Sequence, residues 1–309
     1  MILHGEEGVL VQGITGRQGS FWSTQMQSYG TRVVGGVNPR KAGTTHCGVT
    51  VYASAREAMQ ASPYQVSVLF IPPLGVRDAA LDAIEAECRK IVVLTEHVPV
   101  QDVMYLLAAA RANGSAVLGP NTTGLITPGQ CFAGFLPAFQ RDIFRAGSIG
   151  VVSRSGSLGT LICLQLVQAG YGESTFIGIG GDPIVGTTIG DALREFEADP
   201  DTRAVVIVGE IGGALEEDAA QYAAEMRKPV VAFIAGAASP SGKKMGHAGA
   251  IVSGDRGSYG SKRRALEQAG VTVIDTPSMV GAALAASGII PDSSVDRFNP
   301  RVRDSNRLI

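Results

Sequence analysis

Charge is scarce in this chain of 309 residues: 17% of positions are Asp, Glu, Lys or Arg, and the formal net charge is −2. So even a balance leaves no basic footprint for DNA or RNA, and a nucleic-acid partner is not expected. Long apolar runs are missing as well. No stretch approaches the roughly 20 residues that a membrane-spanning helix needs, so no membrane is expected either. The opening Met1-Ile2-Leu3-His4-Gly5-Glu6-Glu7 lacks the charged and apolar regions of a signal peptide. Cysteine is limited to Cys47, Cys88, Cys131 and Cys163, scattered without metal-ligand spacing. These read as reduced thiols of a cytoplasmic protein, and no metal site is expected.

What the chain does have is an ordinary hydrophobic share of 45% and 40 glycines. That much glycine suits a fold with many strand-to-helix turns and close backbone approaches to ligands. The length fits about two domains of roughly 100–200 residues each. Short β-branched runs alternate with helical stretches. Strands are expected at Gly8–Ile14, Arg32–Val37, Gln65–Ile71, Lys90–Glu96 and Val117–Leu118, with a helix from about Ser20 to Tyr29. A stretch rich in Gly, Pro and Phe follows, from about Thr127 to Ala146. A second series then runs through Ser148–Ser153, Ser174–Gly178, Ala204–Val208, Val230–Ile234 and Val271–Ile274. Apolar strands alternating with helices predict βαβ units and parallel sheets, hence two α/β domains.

The first candidate site is Gly13-Ile14-Thr15-Gly16-Arg17-Gln18-Gly19-Ser20, between a strand and a helix. Glycines there let backbone N–H groups approach a phosphate at the positive end of the helix dipole. A dinucleotide-binding unit expects an acid about 20 residues on to hold the ribose diol. Here the second strand ends in Val37-Asn38-Pro39-Arg40-Lys41, so two cations stand in place of the acid. Cations suit a phosphate on the ribose, as in NADP or in the 3′-phosphate of CoA; a solvated basic turn is the plain alternative. Ile71-Pro72-Pro73 and Thr95-Glu96 end two further strands on the same rim.

The second candidate site centres on His247, in Lys243-Lys244-Met245-Gly246-His247-Ala248-Gly249-Ala250, where small neighbours leave the imidazole uncrowded. Glu210 lies in the Gly-rich Gly209-Glu210-Ile211-Gly212-Gly213. A carboxylate on one ring nitrogen would fix the tautomer and leave the other nucleophilic. Ser153-Arg154-Ser155-Gly156-Ser157 offers an anion cradle, and Gly180-Gly181-Asp182-Pro183 a further turn. Together these predict phosphoryl transfer to histidine. A serine hydrolase is disfavoured, because the segment around Ser155 lacks the first glycine of a nucleophile elbow.

Taken together, these motifs resemble the alpha subunit of succinyl-CoA synthetase (succinate–CoA ligase, ADP- or GDP-forming), from about Gly8 to Leu284. Gly246-His247-Ala248-Gly249-Ala250 is similar to the family's active-site histidine motif, and the Ser153, Gly178–Pro183 and Gly209–Gly213 segments match in the same order. The resemblance implies a Rossmann-like CoA-binding domain over residues 1–130 and a linker over 131–146. A flavodoxin-like parallel-sheet ligase domain over 147–290 and a polar tail over 291–309 would follow. It implies that His247 carries phosphate, that Glu210 hydrogen-bonds it, and that Ser153, Ser155 and Gly156 help to hold the phosphate. CoA contacts fall on Thr15, Gly16, Arg17, Gln18, Gly19, Ser20, Lys41, Ile71, Pro72, Pro73, Thr95 and Glu96. ATP or GTP with Mg would sit mainly in a beta subunit of ATP-grasp fold, in a heterodimer or heterotetramer.

Three features depart from the family pattern. His97 replaces the usual glycine after Thr95-Glu96. Pro120-Asn121-Thr122-Thr123-Gly124 lacks the usual Cys. The stretch Cys131-Phe132-Ala133-Gly134-Phe135-Leu136-Pro137 is unusually aromatic. Asn121, Thr122 and Thr123 are expected near the acyl group, so the small acid could be succinate, malate, citrate or a sulfonated acid. A non-catalytic CoA- or dinucleotide-binding regulatory protein, a pseudo-subunit and a CoA transferase without nucleotide are the other readings.

Overall fold

A computed structural model of the chain describes residues 1–238 and 256–292. His247, and residues 293–309 of the expected tail, lie outside the described residues. The described chain builds two seven-stranded sheets.

The first sheet starts with β1 (Gly8–Gln12), α1 (Arg17–Tyr29), β2 (Arg32–Val37), β3 (Thr45–His46) and β4 (Val49–Tyr52). It continues through α2 (Ala55–Ala61), β5 (Val66–Leu69), α3 (Val76–Glu85), β6 (Lys90–Val93), α4 (Val100–Asn113) and β7 (Ala116–Leu118). The strand order is β3-β4-β2-β1-β5-β6-β7, parallel except for the β3–β4 hairpin. The chain moves outward from β1 in both directions, so β1 and β5 flank a switch point, where open sheets leave a crevice at the carboxyl ends. Both faces are buried. Val9, Val11, Val66, Val68 and Val92 enter one core; Leu10, Leu69, Ile91 and Val93 enter the other. Burial on two faces is why these strands read as unbroken apolar runs.

The second sheet comprises β8 (Gly124–Thr127), β9 (Cys131–Gly134), β10 (Ala146–Ser153), α5 (Gly156–Gln168), β11 (Glu173–Gly178) and α6 (Ile189–Ala198). Then come β12 (Ala204–Glu210), α7 (Leu215–Ala223), β13 (Val230–Ala235), α8 (Tyr259–Gln268), β14 (Thr272–Ile274) and α9 (Val280–Ala286). Its order is β14-β13-β12-β10-β11-β8-β9. The five parallel strands have the flavodoxin-like order, with a switch point between β10 and β12.

The division between domains differs from the expected one. The first sheet ends at Leu118, and the hairpin β8–β9 pairs with β11 of the second sheet, so the boundary at 130 falls inside that hairpin. The expected linker over 131–146 therefore begins with a strand, and β10 already starts at Ala146. Composition hid the hairpin because its glycines serve close backbone approach. A Cβ on Gly124, at φ 98°, would lie 2.0 Å from the Ala133 carbonyl oxygen, and one on Gly134 would lie 2.2 Å from that of Thr123. The hairpin also fastens the first domain. Thr31 Oγ1 donates to Phe132 O at 2.7 Å and accepts from Phe132 N at 3.0 Å, and the Tyr29 ring packs edge-on against Phe132.

Candidate functional site

The first rim lies along the carboxyl ends of β2, β1, β5 and β6. After β1 the chain turns at Gly13 and enters α1, whose N-cap, Gly16, brings no side-chain hydrogen bond; no acid stands in the first turn. The first N–H groups of a helix have no intrahelical acceptor, so this end presents donors and a positive dipole. Gly19 must be bare, since a Cβ there would sit 2.2 Å from the Gly13 carbonyl oxygen. Thr15 is held from β2, where Asn38 Nδ2 donates to its Oγ1 at 2.5 Å. Asn38 Oδ1 accepts from Arg40 N at 3.0 Å and caps the short helix Pro39–Lys41, leaving Lys41 exposed. Thr95 Oγ1 donates to Ile71 O at 2.6 Å, tying the ends of β5 and β6 together. Pro72 and Glu96 are exposed along the same rim, with Pro73 half-buried beside them.

Two expected contacts change character. Ser20 Oγ donates to Ile14 O at 2.9 Å and pairs with His46 Nε2 at 2.7 Å, while Ser20 N donates to Gly16 O. Its donors are committed to the turn, so Ser20 shapes the loop ahead of α1 and keeps only acceptor capacity to spare. Ser153 behaves alike in the second rim: its Oγ donates to Ser155 O at 2.6 Å and is wholly buried.

Asn121, Thr122 and Thr123 bridge the two rims. Asn121 N donates to Thr95 O at 2.9 Å, and its Nδ2 donates to Asp182 Oδ1 at 2.9 Å. Thr122 Oγ1 donates to Gly178 O and accepts from Gly124 N at 2.9 Å. The Thr122 hydroxyl, at the position where the resemblance expects a Cys, is thus spent inside the fold. Thr123 lies against the head of α5: a Cβ on Gly156 would come within 2.3 Å of Thr123 Cγ2.

The second rim sits at the β10–β12 switch point. Ser155 is the N-cap of α5, its Oγ accepting from Leu158 N at 3.4 Å, with no acid in the first turn. Glu210 ends β12. Its N–H donates to Glu216 Oε1 at 3.0 Å, and its carbonyl accepts from Arg154 Nη1 at 3.2 Å and Lys262 Nζ at 2.8 Å. The same two cations hold the Gly212 carbonyl, each at 2.8 Å. Arg154 Nη1 also donates to Glu216 Oε1 at 3.2 Å, its Nη2 lies 3.5 Å from Glu210 Oε1, and Lys262 pairs with Glu216 Oε2. Burial pulls the Lys262 ammonium below its ordinary pKa, and Glu216 pulls it back up. A buried ion cluster of this kind stands only when its charges pair and its hydrogen bonds are filled.

The sequence reading missed Arg154, Glu216 and Lys262 as parts of the site. In the sequence Arg154 stands only as a member of the Ser153–Ser157 cradle. Lys262 has a faint signal: it shares a helical face, four residues apart, with Leu266, and both are fully buried. Among the described residues no helix is long and apolar enough to cross a membrane.

Residues 4–97 match the CoA binding domain family, and residues 152–272 match the CoA-ligase family. The class is therefore a CoA-binding domain followed by a CoA-ligase domain, in agreement with the two sheets and their rims. The chain is 49% identical over 280 residues to the succinate–CoA ligase (ADP-forming) subunit alpha of Methanothermobacter thermautotrophicus, covering 91% of this chain and 94% of that one. It is 42% identical over 288 residues to the ADP-forming sulfoacetate-CoA ligase subunit SauD of Bilophila wadsworthia, covering 93% and 98%. ATP citrate lyase from Methanothrix soehngenii, solved with citrate and coenzyme A, shares the fold with a TM-score of 0.84 at 24% identity. That match spans 97% of this chain and 54% of the lyase chain. The chain belongs to the succinate–CoA ligase alpha-subunit family.

Proposed function

We propose that this chain is the CoA-binding, phosphate-carrying subunit of an ADP-forming acid–CoA ligase, acting with a beta subunit. The observation that carries the reading is the pairing of two rims. A phosphate cradle without a ribose acid heads α1, and a second one heads α5 beside Glu210, with Asn121–Thr123 spanning between them. CoA fits the first rim: donors at α1 suit its pyrophosphate, exposed Lys41 its 3′-phosphate, and the Ile71–Pro73 edge its apolar arm. The nucleotide, with its magnesium, belongs to the partner, which the resemblance makes an ATP-grasp chain in a heterodimer or heterotetramer.

The cycle runs through His247. One ring nitrogen attacks the γ-phosphorus, the bond to the β-phosphate oxygen breaks, and ADP leaves. Glu210 accepts a hydrogen bond from the other ring N–H and steadies the positive charge that develops. Donors at the head of α5 hold the transferred phosphoryl group; such dipole contacts are worth about 0.3–1 kcal/mol at exposed sites. A carboxylate oxygen then takes the phosphoryl group and frees the histidine. The CoA thiol attacks the resulting acyl phosphate, giving its proton to solvent, and phosphate leaves as the thioester forms. Succinate is the first substrate to test. A short sulfonated acid is the second, favoured by the 42% identity to a sulfoacetate-CoA ligase subunit over 98% of its length.

The test is acid-labile label. The chain, purified with its partner, is given γ-labelled ATP and magnesium, then CoA with single acids. Label on His247, discharged only by CoA together with one acid, is the expected result and names the substrate. No label in the intact complex with either ATP or GTP would overturn the reading.

A further inference from the structure

We infer that Arg154 is a positioning residue for the proposed phosphoryl transfer, setting the carboxylate and backbone of Glu210; the inference rests on the function proposed above. Three observations converge on it. First, Arg154 is 3% exposed and lies one residue before the N-cap of α5, so one short segment carries both the phosphate cradle and this guanidinium. Second, the guanidinium reaches Glu210 twice, at its carbonyl (3.2 Å) and at its carboxylate (3.5 Å). Third, the remaining anchors make that grip rigid. Arg154 N donates to Val208 O at 3.1 Å, Glu216 fixes Glu210 N, and Lys262 takes the same two carbonyls as Arg154.

A planar fork of donors suits this task in a way a lysine does not, because it can span a carbonyl and a carboxylate in one plane. Lys262 pairs with Glu216, whose other carboxylate oxygen takes both Glu210 N and Arg154 Nη1, so these two residues hold the backbone of the turn. Arg154 alone among the three approaches the Glu210 carboxylate at ion-pair distance. A carboxylate displaced by an ångström would orient an imidazole poorly, and small misplacements of this kind slow a reaction by about two orders of magnitude. The effect belongs in the chemical step and not in CoA affinity, since the CoA rim is on the other sheet.

The experiment compares Arg154→Lys, Glu210→Gln and the double variant, each with the partner subunit. The rate of acid-labile label from γ-labelled ATP is measured beside KM for nucleotide and CoA. Arg154→Lys is expected to slow labelling ~10- to 100-fold with each KM within about threefold. In the Glu210→Gln background the same change is expected to cost less than about threefold more, because both variants disable one unit. Losses that multiply, or a change confined to KM, would overturn the inference. If Arg154→Lys does not fold, Arg154→Gln is judged by the same criteria. A parent chain that labels while the variants label equally fast defeats this inference alone; a parent that never labels defeats the proposed function with it.

Discussion

Glu173 is a carboxyl group with almost no water: it is 1% exposed at the start of β11, and Arg145 N donates to its Oε2 at 2.9 Å. Burial pushes its pKa up to about 8, against an ordinary 4.5, with that backbone donor pulling the other way. The folded state therefore holds a proton that the unfolded chain releases at lower pH. The sign follows: this stabilisation is complete below about pH 4.5 and is lost as pH rises through about 8. Glu173→Gln keeps the shape and removes the titration. It is expected to raise stability at pH 9 relative to the parent by on the order of 3–5 kcal/mol, with the gain vanishing toward pH 5. Urea unfolding at both pH values is the check, and an advantage independent of pH would refute it. His97 makes a second case at this scale. It occupies the place of the family's usual glycine with a left-handed φ of 61° and an 81% exposed side chain. A non-glycine residue there costs roughly 1 kcal/mol or more. His97→Gly should therefore raise the melting temperature slightly despite the added freedom of glycine in the unfolded chain. A clear fall in melting temperature would show that His97 makes contacts worth more than its backbone strain.

Helix α5 is the element on which the second rim depends, and its first residue sets how close Thr123 can come. Gly156→Ala would place a methyl 2.3 Å from Thr123 Cγ2, forcing the bridge segment away from the helix head. Overpacking of this kind costs about 1–3 kcal/mol. Adding Thr123→Ser removes Cγ2, so the double variant is expected to recover most of the loss in urea midpoint and in labelling rate. Failure of that rescue would mean the clash lies elsewhere. The elements were legible in the sequence to different degrees, for reasons these residues make plain. Parallel strands such as β1 and β12 declared themselves because both faces are buried, which leaves only apolar residues along Val9-Leu10-Val11 and Val205–Val208. Helix α1 begins at Arg17, earlier than the expected Ser20, because its glycine-rich first turn carries no apolar periodicity. Strand β9 falls inside the expected linker because Gly134 adds to the glycine share of that stretch but serves backbone contact in space, while β8 falls in the expected first domain. The ion cluster was invisible for another reason: Lys262 and Glu216 are 46 residues apart, and a Lys-Arg-Arg run looks like a solvated face until the fold closes over it.

At the scale of the molecule, the proposed chemistry needs the two rims at a fixed separation, because one ligand must reach from the head of α1 to the head of α5. The fold meets this need with a shared core. One cluster of buried side chains runs from Val9, Val11 and Met26 of the first domain through Phe132 to Val151, Phe176 and Val206 of the second. Phe132 is the hinge pin of that continuity: it is fully buried, stacks edge-on with Trp22 and Tyr29, and exchanges two hydrogen bonds with Thr31 through its backbone. Domains joined by such a core should not melt independently, since unfolding either one exposes the apolar face of the other. Calorimetry of the parent is therefore expected to give one endotherm. Phe132→Ala, with a cost of about 3–5 kcal/mol, should lower that endotherm as a whole. Because the CoA rim and the α5 rim are then weakened together, CoA should raise the variant's single transition just as it raises the parent's. Two separate endotherms in the parent would mean that the domains are only tethered, and the fixed separation of the rims would then need the beta subunit to maintain it.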